Sequence, residues 1–257
     1  EPGANILLAA PSNSYYSGIT TTDIPGSAGY TPGNTTDTFG GTSSATPLVS
    51  GVIALMLEAN PGLTWRDVQH ILVESSRVND HSDSSWGHNG AGLNVSHKYG
   101  FGTVDAAEAV ALAESWENVG AEVSISSDSN YSNASIPDDG TWLNHSVWVQ
   151  AWPDGFSTQD GLILESVDVD LDIDHTYRGD LEIVLTSPSG TQSVLSEPHD
   201  DPGDDYDGWR FGTVHNWGES SNVNSGEWTL SIRDAYSGDS GTLNHWSVTL
   251  HGSYDQS

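Results

Sequence analysis

The 257-residue sequence contains no cysteine, so no disulfide holds the fold and the redox compartment leaves no mark in it. Basic residues are nearly missing. Six Lys and Arg stand against 36 Asp and Glu, Lys98 is the sole lysine, and the formal net charge is -30. A surface of that sign repels phosphate backbones, which excludes nucleic acid as a partner. Such a charge keeps a chain soluble but makes it repel itself, and salt or bound divalent cations relieve the repulsion. Charge alone fits either a salt-tolerant, halophilic protein or an ordinary acidic secreted enzyme. Nothing in the sequence reads as a signal peptide or as a membrane span.

What is present is a stretch from Gly40 to Pro61, in which a glycine-flanked Thr42-Ser43 pair runs into a long apolar segment. Apolar residues fall on every side from Val49 to Leu57, the pattern of a helix buried all round in a core. Ser43 lies just before or within its first turn, where unpaired N–H groups and the helix dipole favour a developing negative charge. By itself a serine beside glycine before a helix is an ordinary N-cap. A second helix begins after Thr64, with Asp67 three residues on as a near capping box, and a third after Asp105 with Glu108 in the same relation. Ile6 to Ala10 reads as a short buried strand, and the Gly, Pro, Ser and Thr-rich stretch that follows, up to Gly41, as loop.

Between Glu117 and Ala121 the texture changes, and helical periodicity gives way to short alternating runs divided by Gly, Asp, Asn and Pro. From Val167 to Asp174 apolar and acidic residues alternate strictly, so one face is buried and the other lies in water. Leu181 to Thr186, Ser193 to Leu195, Trp228 to Ile232 and Trp246 to Leu250 read as further strands, with turns at Ser187-Pro188-Ser189-Gly190 and Tyr236-Ser237-Gly238-Asp239. This spacing predicts a second, all-β domain built as an antiparallel sandwich of jelly-roll kind.

The segments Gly41-Thr42-Ser43-Ser44-Ala45-Thr46-Pro47, Leu63-Thr64-Trp65-Arg66-Asp67-Val68-Gln69, Val95-Ser96-His97-Lys98-Tyr99-Gly100-Phe101-Gly102 and Trp116-Glu117-Asn118-Val119 resemble, in order, the serine segment of subtilisin-like proteases of the kexin and furin subgroup. Gly18-Ile19-Thr20-Thr21-Thr22-Asp23 resembles the segment that precedes the serine there. Beyond residue 118, His175 to Leu181, Ser187 to Thr191, His215 to Glu219 and Ser225 to Trp228 resemble the P domain of that subgroup. The resemblance implies an α/β part over residues 1–117, an incomplete doubly wound parallel sheet, followed by the P-domain sandwich over 118–257.

It also implies roles. Ser43 is the nucleophile and its N–H one oxyanion donor, Thr42 adds a hydroxyl beside it, and Glu1, through Glu1-Pro2-Gly3-Ala4, matches the glutamate at the floor of the primary specificity pocket. That glutamate helps hold calcium and favours cleavage after basic residues. A serine needs a base and a group that orients the base. In subtilisin-like enzymes these come earlier in the chain, as Asp, then His. No histidine precedes Ser43, and the family's Asp and oxyanion Asn have no counterpart either. The chain is therefore expected to be the C-terminal part of a protease, inactive alone, whose partner is the missing N-terminal part of the catalytic domain and whose substrate is a protein or peptide. His70 and His97 read as structural. The absence of the cysteines common in eukaryotic relatives points to a prokaryotic source, and the family to secretion or the cell surface.

Calcium is the expected ion, since it takes six to eight oxygen ligands. The residues offered for it are Asp200, Asp201, Asp204, Asp205 and Asp207, five carboxylates in one loop. A solvated acidic loop is the plainer alternative. Two other functions compete with the endopeptidase: a catalytically inactive β-sandwich module that binds protein or carbohydrate, supported by tryptophans such as Trp142, Trp148, Trp152, Trp209 and Trp217 where exposed, and an adhesive domain of a larger surface protein. The charge makes one prediction at once. Melting temperature is expected to rise steeply with NaCl, and a melting series in which calcium stabilises while NaCl does nothing would dismiss the halophilic reading.

Overall fold

The computed structural model describes residues 2–150, 161–220 and 225–254. They form two compact units that interleave along the chain. The first comprises residues 8–80 and 101–119, and the second residues 1–7, 81–100 and 120–257. The boundary expected at 117/118 follows the chain, whereas residues 81–100 group with the sandwich.

In the first unit β1 (Ile19–Thr22) pairs antiparallel with β2 (Thr35–Phe39), and three helices follow: α1 (Thr42–Ala59), α2 (Trp65–Ser75) and α3 (Ala106–Glu114). The stretch expected to be loop thus carries a hairpin. Its strands are runs of β-branched threonine that suit extended backbone, with the Thr36 and Thr38 hydroxyls bonded at 3.1 Å. The strand expected at Ile6 to Ala10 shrinks to isolated bridge residues at Leu8 and Ala9, with Ala9 pairing parallel to Thr103.

The helix starts are those the sequence announces. Thr64 and Asp67 form a full reciprocal capping box, and Asp105 accepts from the Ala107 and Glu108 N–H groups. Asp67, fully buried, also accepts from Val119 N at 2.8 Å and from Trp116 Nε1 at 3.1 Å, tying the end of this unit to α2. Met56, Ile71, Ala109 and Ala113 are completely buried in one cluster where α1 and α2 meet α3.

One expectation fails in an informative way. Helix α1 is not buried all round: only Ser44, Val52 and Met56 are covered, while Leu48, Leu55 and Leu57 stand 36, 50 and 40 % exposed. The described residues cover one side of it and offer nothing for the other. It is also longer than the apolar run suggests. With 18 residues it is, by length and composition alone, long and apolar enough to cross a membrane, although five hydroxyl residues in its first nine positions make that weak ground for a span.

The second unit contains β3 (Gly87–His88) and β4 (Asn94–Val95), then β5 (Val123–Ser126), β6 (Asn130–Ile136), β7 (Leu143–Val149), β8 (Leu162–His175), β9 (Leu181–Thr186), β10 (Gln192–Ser196), β11 (Tyr206–Thr213), β12 (Gly226–Asp234) and β13 (Gly241–Tyr254). One sheet runs β10-β9-β12-β7 and the other β11-β8-β13-β5, with β6 also on β13, and every named pair is antiparallel. Both sheets contribute to one core, including the fully buried Val167, Val169, Leu171, Ile173, Trp228 and Trp246. The expected alternation on β8 is present, with its aspartates on the outer side. Arg210 forms a bidentate pair with Asp170 at 2.7 and 3.0 Å, and Asn244 donates to Asp172 at 2.8 Å.

Before Val167 the alternation slips by one residue, because Leu164 and Glu165 are both buried. The slip is absorbed by a bulge in which Glu165 is the extra residue on β8, opposite the step from His251 to Gly252 on β13. Gly252 is needed there, since a Cβ would lie 1.9 Å from the Ile163 carbonyl oxygen.

Residues 89 and 90 are fastened into the sandwich. Asn89 Nδ2 donates to the His215 and Trp217 carbonyls at 2.9 and 2.8 Å, and Gly90 N donates to Glu219 Oε1 at 2.8 Å. Glu219, fully buried, also accepts from Thr191 and Ser189 hydroxyls and from Asn216 Nδ2. The Asp67 node gives a stability prediction. Asp67→Ala is expected to lower the unfolding free energy by about 3 kcal/mol, by uncapping α2 and orphaning the Trp116 and Val119 donors. Urea unfolding of the variant checks it, and an unchanged midpoint would contradict it.

Candidate active site

Helix α1 begins at Gly41, whose φ of 71° only glycine adopts without strain. The Gly41 N–H donates to Asn13 Oδ1 at 2.7 Å, and its carbonyl accepts from Ser12 Oγ at 2.7 Å and Ser44 Oγ at 3.0 Å. Ser12 and Ser44 also share a hydrogen bond of 2.6 Å. The loop at 12–13 thus grips the cap from 28 to 32 residues away, and no motif in the sequence flags it.

A glycine N-cap has no side chain to cover the first-turn N–H groups, as serine or aspartate would. Ser44 N turns back to the Gly41 carbonyl at 3.1 Å. Ser43, the second helical residue, is exposed, and among the described residues its hydroxyl has no hydrogen-bond partner. Pro47, four residues on, has no N–H to give to the Ser43 carbonyl, which loosens the backbone at the serine itself. Thr42 sits next to it, exposed, with its carbonyl taken by Thr46 Oγ1 at 2.9 Å. The arrangement is an accessible hydroxyl at the positive end of an apolar helix. It lacks a base: His70 is the one histidine in this unit, and it lies buried on α2 with its ring centroid 6.4 Å from that of Trp116.

Beside the cap, a cavity of about 770 Å³ opens between β1 and β2, lined in part by Ile24, Tyr30, Phe39 and Gly40. Asp23 is the acidic group in its wall. Its carboxylate accepts from the Thr31 N–H and the Ile24 N–H, both at 2.8 Å, and these bonds hold it below the usual carboxylate range. The expected specificity residue Glu1 lies outside the described residues.

The acidic loop is built round a cation of the protein's own. Arg178 Nε donates to Asp201 Oδ2 at 2.8 Å, and its Nη1 reaches the Asp204 and Asp205 carbonyls at 3.5 and 3.3 Å. The Arg178 hydrogen bond holds the Asp201 carboxyl below its ordinary value. Asp205 Oδ1 caps the His175 N–H at 2.8 Å, Asp200 Oδ1 takes the Tyr177 hydroxyl at 3.3 Å, and Asp204 and Asp207 point into solvent as exposed residues. Among the described residues no three His, Cys, Asp or Glu side chains are placed to hold one metal ion. In this arrangement the five carboxylates offered for calcium do not converge on one point: Asp201 is paired with Arg178, Asp205 and Asp200 accept from the His175 N–H and the Tyr177 hydroxyl, and Asp204 and Asp207 are exposed.

Two family models match the chain in succession, the subtilase family over residues 2–102 and the proprotein convertase P-domain over residues 164–250. The chain belongs to the kexin and furin subgroup of the subtilases. It is 43 % identical over 224 residues to proprotein convertase subtilisin/kexin type 6 of Rattus norvegicus, covering 84 % of this chain and 23 % of that protein. Furin-1 of Xenopus laevis is 38 % identical over 222 residues, covering 84 % of this chain and 27 % of its own length. The chain thus spans about a quarter of these kexin-type relatives. The solved serine protease of Aeromonas sobria, in complex with its chaperone, superposes with a TM-score of 0.84 at 24 % identity, over 98 % of this chain and 54 % of that one. That likeness shows a shared fold. It accounts for the α/β part and the β-sandwich in this order.

His97, in the family segment from Val95 to Gly102, proves structural. Its Nε2 accepts the Val194 N–H at 2.8 Å, and its ring meets that of His215 edge-on at 4.0 Å. Burial lowers the His97 pKa against the opposing pull of Glu197, and burial with the neighbouring His97 brings His215 from 6.5 to about 4. Both rings are held neutral. A histidine whose folded pKa is depressed contributes stability that is whole above the unfolded pKa and is lost as pH falls toward the folded one. For His215 that window runs from 6.5 to about 4, worth about 3 kcal/mol at 1.36 kcal/mol for each pH unit. The second unit is accordingly expected to lose stability across that range, and His215→Gln to flatten the loss, as urea titrations at stepped pH would show.

Proposed function

We propose that the chain is the serine-bearing part of a secreted, kexin-type serine endopeptidase that cleaves peptide bonds through an acyl-enzyme on Ser43. The carrying observation is the exposed Ser43 hydroxyl at a glycine-capped helix N-terminus, within the segment that matches the subtilase family. In this reading Ser43 Oγ attacks the scissile carbonyl. Its uncovered N–H, aided by the Thr42 hydroxyl, stabilises the oxyanion in a field that needs no reorganisation. The base and its orienting carboxylate come from an N-terminal part of the catalytic domain. Leu48, Leu55 and Leu57 support that partner, since they leave apolar surface on α1 at a cost of roughly 25 cal/mol for each Å² left wet. Cleavage after basic residues belongs to the same proposal and rests on Glu1 alone. A prokaryotic, salt-tolerant source is supported by the charge of -30 and the absence of cysteine.

The test is labelling with a fluorophosphonate. A protein carrying the full catalytic domain is expected to be labelled at Ser43 and to lose the label and its peptidase activity in Ser43→Ala, while the 257-residue chain alone stays unlabelled. Label that persists in Ser43→Ala, or peptide hydrolysis by the chain alone, would overturn the assignment.

A further inference from the structure

The outer face of the sheet β10-β9-β12-β7 carries two tryptophans that the core does not use. Trp142 is 39 % and Trp148 69 % exposed, whereas Trp228 and Trp246 are completely buried. Trp142 and Trp148 stand on one side of the same strand line, six residues or about 20 Å apart. Aromatic rings left bare on a regular sheet face offer apolar area at which a ligand ring can stack.

Between and beside them the face is polar and nearly neutral. Ser231 Oγ donates to Asn144 Oδ1 at 2.7 Å, and the Ser146 and Thr229 hydroxyls are bonded at 3.0 Å. A shallow groove of about 440 Å³ crosses all four strands from Trp142 past Ser231 and Glu182 to Gln192, a run of about 14 Å at sheet spacing. The one cation there is spent. Arg233 Nε donates to Glu182 Oε2 at 2.8 Å, and its guanidinium lies 4.9 Å from the centroid of the Trp142 ring, fixing that ring in place. The remaining charge on the face is Glu227, directly across the strand pair from Trp148.

We propose that this sheet face binds a neutral polysaccharide. Pyranose rings present apolar C–H faces that stack on tryptophan and equatorial hydroxyls that exchange hydrogen bonds with amides, hydroxyls and carboxylates, and the face offers both: Trp142 at the end of the groove, Trp148 further along β7, and the polar side chains of Asn144, Ser231, Glu182 and Gln192 beside them. Charge narrows the alternatives. A polyanion meets a protein of net charge -30, and in the groove a polycation finds the Glu182 carboxylate already paired with Arg233. The inference stands apart from Ser43 and holds whether or not the chain is part of a protease.

The probe is affinity electrophoresis of the 257-residue chain in native gels containing galactomannan, mixed-linkage β-glucan, soluble starch or neutral xylan, with polygalacturonate and polylysine as charged controls. At least one neutral polymer is expected to retard the chain equally in low and high NaCl. Trp142→Ala and Trp148→Ala should each weaken that retardation about tenfold, the scale of one lost stacked ring. Both positions are exposed, so melting curves of the variants should match the parent and separate loss of binding from loss of fold. Absence of retardation by every neutral polymer, or retardation unchanged in both variants, would overturn the proposal. Retardation by polylysine that Trp142→Ala abolishes would overturn it in favour of a protein-docking face.

Discussion

The pairing of β8 with β13 is the constraint on which the sandwich depends. Two strands of 14 residues run antiparallel along their whole length, and the remaining strands of that sheet attach to one or the other. Because a strand has period two, this register decides which residues of β8 enter the core and which meet water. The bulge at Glu165, opposite Gly252, lets β8 serve two phases, with Leu162 and Leu164 inward on one side of it and Val167, Val169, Leu171 and Ile173 inward on the other. A single residue without a side chain keeps both halves of the core filled.

The backbone at Gly41 and the acidic loop are both held by side chains from elsewhere in the chain. At Gly41 the absence of a side chain leaves donors of the helix free at the serine, while the Ser12 and Asn13 side chains hold the carbonyl and N–H of Gly41 itself. At the acidic loop, Arg178 gathers carboxylate and carbonyl oxygens that would otherwise repel one another. The protein thus neutralises part of its surplus negative charge with its few arginines, as Arg210 does for Asp168 and Asp170 and Arg233 for Glu182.

Much of this was legible in the residues. The Thr64 and Asp67 capping box, the Asp105 cap and the alternation from Val167 to Asp174 are local signals, and each appears in the structure where its spacing placed it. Local pattern failed where a distant partner decides. The hairpin of β1 and β2 was hidden among Gly, Pro and Thr because its stability comes from cross-strand pairing. Strand β11 was hidden because its register shifts between Tyr206 and Trp209, which breaks the alternation. In the acidic loop the pairing of Asp201 was equally hidden, because its partner Arg178 lies 23 residues before it. For α1 the apolar pattern measured how much cover the helix requires, and the described residues supply cover for one side.

The clasp at Asn89 and Gly90 carries a consequence for how the chain divides. A piece cut at residue 118 would hold every strand from β5 to β13, yet it would leave the Glu219 carboxylate in the interior short of the Gly90 donor and the His215 and Trp217 carbonyls without Asn89. The covalent seam between the two family segments is therefore not a seam in free energy. A sandwich moved as a free cassette keeps these buried groups paired only if it carries residues 89 and 90 along with it.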